Sequence, residues 1–249
     1  MRLMRLKAWR DSKKRQLSII PFILTFANAC LGLMSVLYAL DDKFMAAAYC
    51  IIAAALFDGL DGKVARVFGS SSSLGMELDS LCDAVSFCFA PAILLFSWNF
   101  SSARWIGLVV VGLYLCAGLF RLAKFNIISH EDKRYFIGLP TTVASSWVAG
   151  FVIASPWLEA SRWNFLLNVN YTAVIICVLS LLMISRLHFP SFKSRHGIIP
   201  VFLVIPIAIF GAGLYALVVH VPLVLSMVSA YVVASLCVEG ILFLSKRFF

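Results

Sequence analysis

The sequence predicts an all-α fold, a polytopic bundle of about eight transmembrane helices with both termini in the cytoplasm. Three observations carry this prediction. Only 13% of the 249 residues are charged and 62% are hydrophobic, whereas a soluble domain has about 25% charged residues. Apolar stretches of about 20 residues, the length that crosses a bilayer as a helix, recur along the chain. The Lys and Arg residues concentrate in alternate polar breaks between these stretches.

The spans are bounded by polar breaks such as Asp41-Asp42-Lys43 and the Gly69 to Ser73 loop. A helix rises about 1.5 Å per residue, so each stretch between breaks can cross the hydrocarbon core. The last break, at His220-Val221-Pro222, is the weakest, and the final two spans can also be read as a tight hairpin. The predicted spans cover residues 17–40, 44–66, 80–98, 104–125, 139–157, 170–187, 198–218 and 222–245.

The positive charges predict the orientation. If successive breaks alternate sides, all of the 21 Lys and Arg residues except Lys43, Arg104 and Arg162 lie on the side of the N-terminus. Cytoplasmic loops carry the excess of Lys and Arg, so both termini are expected in the cytoplasm of an integral protein of the inner membrane. The net charge of +9 is then explained by topology and by attraction to anionic lipid headgroups, and no nucleic acid is expected as a partner.

The expected organisation is a basic cytoplasmic segment at residues 1–16, a core of six spans at 17–197 and two additional spans at 198–249. All seven cysteines lie inside predicted spans without a Cys-x-x-Cys pair. Buried, reduced thiols are therefore expected.

Acidic residues gather where the second and third spans reach the cytoplasmic face. Asp58 and Asp61 are three residues apart, and Asp79 and Asp83 are four apart, so each pair lies on one helix face. Buried acids in a membrane protein usually face a cavity or a partner. Hard divalent cations with oxygen ligands fit four converging carboxylates. Helix-end aspartates paired with Lys63 and Arg66 are the simpler alternative.

The residues around these aspartates resemble a family signature. Asp58-Gly-Leu-Asp61-Gly62-Lys-Val-Ala65-Arg66, then eight residues and Gly75, then Asp79 and Asp83 after three residues each, is similar at all eight positions to the signature of the CDP-alcohol phosphotransferases. The resemblance implies displacement of CMP from a CDP-linked substrate by an alcohol, with two divalent metal ions, Mg or Mn. It further implies metal ligands at Asp58, Asp61, Asp79 and Asp83, with Asp83 also the general base. Implied contacts to the CDP-linked substrate are Gly62, Ala65, Arg66, Ser72 and Gly75, with Thr25 and Asn28 from the first span. Hydrogen bonding between helices is the alternative for Thr25 and Asn28.

Further segments resemble the membrane-embedded phosphatidylserine synthases of that family. They are the stretch from Leu78 to Ala92, Phe120 to Asn126 followed by Phe136 to Pro140, and Leu182 to Lys193. This resemblance implies CDP-diacylglycerol and L-serine as substrates, phosphatidylserine and CMP as products, and membrane lipids as surroundings. A homodimer is the candidate assembly. The candidate cytoplasmic-side residues for serine are Arg121, Lys124, Asn126, Arg186 and Lys193.

Two groups of alternatives stay open. Phosphatidylcholine synthases and the phosphatidylglycerophosphate or phosphatidylinositol type of transferase share the metal signature. A cation- or proton-coupled transporter would also use buried acids. Transporters, however, place their acids near the midplane, whereas these acids lie at one membrane face beside Arg66 and Gly62. The sequence therefore favours the enzyme.

Overall fold

The computed structural model describes residues 19–68, 73–128, 135–185, 188–190, 226 and 228–230. Within these ranges the chain is mainly helical, as the sequence predicts. The helices are α1 at Ile19–Leu40, α2 at Phe44–Phe68, α3 at 73–100, α4 at Arg104–Ile128, α5 at Thr141–Glu159 and α6 at Val169–Ile184, with a 3-10 turn at Asn164–Leu167 before α6. The first six predicted spans thus correspond to α1 to α6, and the last two lie outside the described residues.

Four of these helices contain stretches long and apolar enough to cross a membrane, namely Phe22–Leu40, Phe44–Asp61, Leu74–Phe100 and Arg104–Ile127. Large apolar side chains such as Leu33, Leu56 and Trp105 are exposed on their outer faces. Such faces are costly in water and favourable in lipid. The protein is therefore an integral membrane protein. Helix α6 is apolar but has only 16 residues, about 24 Å.

Helix α1 ends in a motif that turns the chain back into α2. Asp42 has a φ of 59°, the left-handed conformation that Asp tolerates better than most residues. The Lys43 N–H then bonds to the Tyr38 carbonyl over 2.8 Å and the Asp42 N–H to the Ala39 carbonyl over 3.4 Å. These bonds satisfy carbonyls that the helix end would leave unpaired. The break predicted at Asp41-Asp42-Lys43 is confirmed.

The third predicted span begins later in the sequence than the helix in the structure. The helix starts at Ser73, not at residue 80, and runs through α-helical Ser73–Asp83, π-helical Ala84–Phe89, α-helical Ala90–Leu95 and π-helical Phe96–Phe100. The prediction set the break at Gly69 to Ser73 and assigned residues 74–79 to no span; Glu77 and Asp79 make this stretch polar. In the structure that polar turn is already helical, so Asp79 and Asp83 lie on one helix.

The packing brings α1, α2 and α3 together at the acidic residues, and further helix pairs hold this arrangement. Helix α1 packs along α2, α2 packs against α5, and α4 packs against α6. Ala39, Ala47, Ala48 and Ala149 are fully buried where α1, α2 and α5 meet. Alanines let membrane helices approach closely, so these contacts hold α1 and α2 together. A second cluster, around Tyr114, joins α3, α4, α5 and α6.

An element absent from the all-α prediction is a short antiparallel ladder. Strand β1, Tyr135–Ile137, pairs with β2, His188–Pro190, with Phe136 opposite Phe189. Three residues per strand are too few for a period-two pattern to be visible in a sequence. Gly138, with a φ of 81°, leads from β1 toward α5, a conformation that glycine adopts without strain. The ladder ties the segment before α5 to the segment after α6.

The cysteine prediction is confirmed for the free thiols but is wrong for their burial, because only Cys82 and Cys88 are buried while Cys30 and Cys116 are exposed. Six of the seven cysteines lie in the described part of the chain, and all six carry free thiols. The division into residues 1–16, 17–197 and 198–249 stays a prediction, because most of its first and last parts lie outside the described residues.

Candidate functional site

Three of the four predicted metal ligands form one cluster. Asp58 and Asp61 come from the last turns of α2 and Asp79 from the first turns of α3, and one carboxylate oxygen of each lies within 4.8 Å of the other two. Asp61 is 4% exposed. Two unit charges at this distance repel by about 3.5 kcal/mol at an effective dielectric constant of about 20. The carboxylate cluster is therefore costly unless a cation sits among the oxygens.

A hydrogen bond from α1 orients one member of the cluster. The buried Thr25 hydroxyl donates to Asp61 Oδ2 over 3.1 Å. An ionised carboxylate has room for several donors or metal ions on its two oxygens, so this bond leaves further coordination sites on Asp61. Thr25, predicted as a contact to the CDP-linked substrate, thus forms a hydrogen bond to a member of the carboxylate cluster.

Asp83, predicted as a fourth metal ligand and general base, lies one helical turn beyond Asp79 and outside the three-carboxylate cluster. It is close enough to Asp58 and Asp79 for their charges to act on it. Its Oδ1 accepts a hydrogen bond of 3.1 Å from Nδ2 of Asn28 on α1. Asp83 is therefore held at the edge of the cluster.

The position of Asn28 depends on a close crossing of α1 and α3. The buried Ser86 hydroxyl donates to the Asn28 carbonyl oxygen over 2.9 Å. A Cβ on Gly32 would lie 2.5 Å from Ser86 Oγ, so only glycine allows this approach. Ser86 belongs to the π-helical turn that begins directly after Asp83. Such turns often occur at functional sites, and here one places Ser86 against α1.

Two of the three predicted serine-binding residues of α4, Arg121 and Asn126, form hydrogen bonds to neighbouring helices. Arg121 is 8% exposed. Its NH1 group donates to the Thr141 hydroxyl at the start of α5 over 3.2 Å, and its guanidinium lies 5.9 Å from the centre of the Phe125 ring. Asn126 Oδ1 accepts a 3.0 Å hydrogen bond from Ser80, the residue after Asp79. Lys124 is half-buried. Arg121 and Asn126 are thus linked to α5 and α3.

Sequence reasoning gave no role to Ser80, Ser86 or Thr141. Each is a hydroxyl in an apolar helix, and that is the only signal the sequence offers. Hydroxyls in membrane helices usually bond to other helices. Their relation to Asn126, Asn28 and Arg121 follows only from the packing.

For the other predicted site residues, the structure describes the backbone alone or the residue lies outside the described ranges. Gly62, Ala65 and Arg66 belong to α2, and Gly75 is a half-buried residue of α3. Nothing in the described part of the chain gives the surroundings of the Ala65 or Arg66 side chains. Three residues lie outside the described ranges altogether, namely Ser72, Arg186 and Lys193.

Comparison with known proteins identifies the family to which the chain belongs. The profile of the family described as CDP-alcohol phosphatidyltransferase matches residues 18–179, which include all four aspartates. The chain belongs to this family. The family prediction from the aspartate signature is confirmed. CDP-alcohol phosphatidyltransferases generally use divalent metal, which agrees with the carboxylate cluster.

Individual members with curated names are similar over most of the chain. A CDP-diacylglycerol–serine O-phosphatidyltransferase of Mycobacterium leprae is 33% identical over 76% of this chain and 63% of its own length. One of the same name from Helicobacter pylori is 32% identical over 76% of this chain and 79% of its own length. An archaetidylserine synthase of Methanothermobacter thermautotrophicus is 35% identical over 72% of this chain and 73% of its own length. The alignment thus spans less than two thirds of the M. leprae relative.

Proposed function

We propose that this CDP-alcohol phosphatidyltransferase transfers the phosphatidyl group of CDP-diacylglycerol to the hydroxyl of L-serine, giving phosphatidylserine and CMP. One observation carries the proposal: the carboxylate cluster lies inside residues 18–179, which the family profile matches, and relatives named for serine transfer or archaetidylserine synthesis are similar over 72–76% of the chain. The bacterial relatives are named for transfer to serine and the archaeal one for archaetidylserine synthesis. These names support serine as the acceptor alcohol over choline, inositol or glycerol 3-phosphate.

The carboxylate cluster fits divalent metal. Its three residues offer only oxygen ligands, the type that Mg²⁺ and Mn²⁺ prefer. Asp79 Oδ1 is buried and has no hydrogen-bond partner among the described residues, so an oxygen is available for coordination. Asp58, Asp61 and Asp79 would hold two ions, with Asp83 at the edge. When bound, the ions neutralise diphosphate charge and stabilise the charge that develops on the departing CMP.

Asp83 acts on the acceptor alcohol. Its carboxylate accepts the proton of the serine hydroxyl while the serine oxygen forms a bond to the β-phosphorus of CDP-diacylglycerol. The bond from that phosphorus to the bridging oxygen breaks, and CMP leaves with the bond's electron pair. The hydrogen bond from Asn28 fixes one oxygen of Asp83, which reduces the reorganisation needed during the reaction.

The remaining site residues bind the two substrates. Gly62, Ala65, Arg66, Ser72 and Gly75 contact the cytidine diphosphate, because small residues allow close approach and an arginine fork matches phosphate oxygens. Thr25 and Asn28 act mainly through Asp61 and Asp83, since those are the groups they contact. The serine carboxylate binds cationic and amide groups on the same side of the membrane, namely Arg121, Lys124, Asn126, Arg186 and Lys193.

The protein lies in the inner membrane with eight spans, both termini in the cytoplasm and the active site at the cytoplasmic face. The bias of Lys and Arg toward one side supports this orientation. The carboxylate cluster lies at the end of α2 opposite the turn at residues 41–43. Soluble serine can therefore reach the site from the cytoplasm while CDP-diacylglycerol stays in the leaflet. A homodimer is compatible with the exposed apolar helix faces.

The test is CMP release by purified protein with CDP-diacylglycerol, Mg²⁺ or Mn²⁺ and one alcohol at a time. The alcohols are serine, glycerol 3-phosphate, inositol and choline. CMP release is expected only with serine. A matched preparation carrying Asp83→Asn should release CMP about 10²–10⁴ times more slowly, which excludes a contaminating enzyme. Release with choline alone would refute the choice of serine.

A further inference from the structure

The hydrogen bond to Asp83 fixes the orientation of the Asn28 side-chain amide. The residue is fully buried in α1, and its Nδ2 donates to Asp83 Oδ1 over 3.1 Å. An ionised carboxylate only accepts hydrogen bonds, so the NH2 group must face Asp83. The other end of the amide, Oδ1, therefore points away from that contact.

Asn28 Oδ1 is an acceptor without an internal donor. It is buried and has no hydrogen-bond partner in the part of the chain that the structure describes. Buried polar atoms are almost always hydrogen-bonded, and an exception needs an explanation. Rotation of the side chain cannot supply a partner without breaking the bond to Asp83. The backbone is also held, because Ser86 bonds to the Asn28 carbonyl at the close approach to Gly32.

The chemistry of the acceptor substrate identifies a donor for this atom. In the proposed function, on which this inference rests, the serine hydroxyl lies against Asp83. The ammonium nitrogen of serine is three bonds from its hydroxyl oxygen, and it carries three N–H donors. Asn28 Oδ1 belongs to the same amide that contacts Asp83, so an ammonium group beside the bound hydroxyl comes within its reach.

We propose that Asn28 Oδ1 accepts a hydrogen bond from the ammonium group of the amino-acid acceptor. Asn28 then has two functions on one amide. Its NH2 group positions Asp83, and its oxygen selects alcohols that carry an ammonium group. An acceptor that has the hydroxyl and the carboxylate but no ammonium leaves Oδ1 unpaired, and such omissions give strong discrimination.

The test compares serine with 3-hydroxypropionate, which lacks only the ammonium group. In the wild type, kcat/KM for serine should exceed that for 3-hydroxypropionate by about 100-fold. In Asn28→Leu and Asn28→Ala that ratio should fall at least tenfold. Loss of support for Asp83 lowers kcat/KM for both substrates equally, so the ratio isolates the ammonium contact. Thr25→Val is the matched control, because Thr25 contacts Asp61 and should leave the ratio unchanged.

Binding gives a second readout that needs no turnover. With CDP-diacylglycerol and Mg²⁺ present, serine should raise the Tm of the wild-type protein more than 3-hydroxypropionate does. In the Asn28 variants the two shifts should be equal. A wild-type ratio retained in the variants, or a change confined to the KM for CDP-diacylglycerol, would overturn the inference. Wild-type protein that releases no CMP with serine would instead refute the proposed function.

Discussion

The buried hydroxyl of Tyr114 on α4 donates a hydrogen bond to the carbonyl oxygen of Phe87 on α3 over 3.2 Å. Four residues later α3 contains Pro91, which has no N–H to offer that carbonyl. In a membrane no water replaces the missing donor, so Tyr114 supplies it. The contact lies one turn beyond Asp83 and supports the π-helical turn that carries Ser86.

Replacing Tyr114 with Phe should lower the free energy of unfolding by about 1–3 kcal/mol, because the Phe87 carbonyl then stays buried and unsatisfied. Thermal unfolding of the protein in detergent measures the change. Tyr171→Phe is the control, since Tyr171 is 53% exposed and keeps its ring contact with Phe165. Equal stabilities of the two variants would show that Tyr114 contributes only packing.

Removing divalent metal should abolish CMP release, and Mg²⁺ or Mn²⁺ should restore it. In Asp79→Asn the metal concentration that gives half-maximal activity should rise at least tenfold, because the carboxylate cluster loses one charge. Asp41→Asn is the control. Within the described part of the chain the Asp41 side chain forms an exposed ion pair with Lys43, at 3.2 Å, and the variant should respond to metal like the wild type. Full activity after chelation would exclude the metal site.

Replacing Asp83 with Asn should reduce kcat by about 10²–10⁴, the usual contribution of a general base. Binding of CDP-diacylglycerol, followed as a substrate-dependent rise in Tm, should be largely retained. Glu77→Gln on the same helix removes an exposed acid and should leave kcat unchanged. Full activity of the Asp83 variant would remove that residue from the mechanism.

Replacing Arg121 with Ala should raise the KM for serine about tenfold or more and the KM for CDP-diacylglycerol much less, because the guanidinium is proposed to hold the serine carboxylate. Initial rates with each substrate varied in turn provide the two constants. Arg104→Ala, an exposed cation at the opposite end of α4, should alter neither. If both KM values rise together for Arg121→Ala, its role is structural.

Replacing Gly32 with Ala should lower both kcat and stability, the latter by about 1–3 kcal/mol. The added Cβ would lie 2.8 Å from the Ser86 Cα, so α1 and α3 must separate and Asn28 must shift from Asp83. Gly112→Ala adds the same group where no atom of the described residues lies within 4 Å and should be neutral or slightly stabilising. Activity and Tm of the two variants, measured side by side, test the helix crossing.

Part of the site could be predicted from local sequence. Asp58 and Asp61 share a helix face whatever the rest of the fold does, and their acidic character in an apolar helix indicates a ligand. The bond between Asn28 and Asp83 spans 55 residues and depends on the axial register of α1 against α3. No periodicity encodes that register. The same holds for Ser80 with Asn126, and for the three-residue pairing of β1 with β2.

The sequence by itself determined that the chain is helical and lies in a membrane, and that its acids gather near one end of two helices. It also indicated the family of the CDP-alcohol phosphatidyltransferases. The first two properties follow from hydropathy, helical period and residue type, which are local. The family follows from the resemblance of the segment from Asp58 to Asp83 to the family signature. Only the tertiary structure decided that Asp58, Asp61 and Asp79 form one cluster while Asp83 lies at its edge under Asn28. Glycine and alanine contacts set the distance between helices, and that distance decides which polar groups meet.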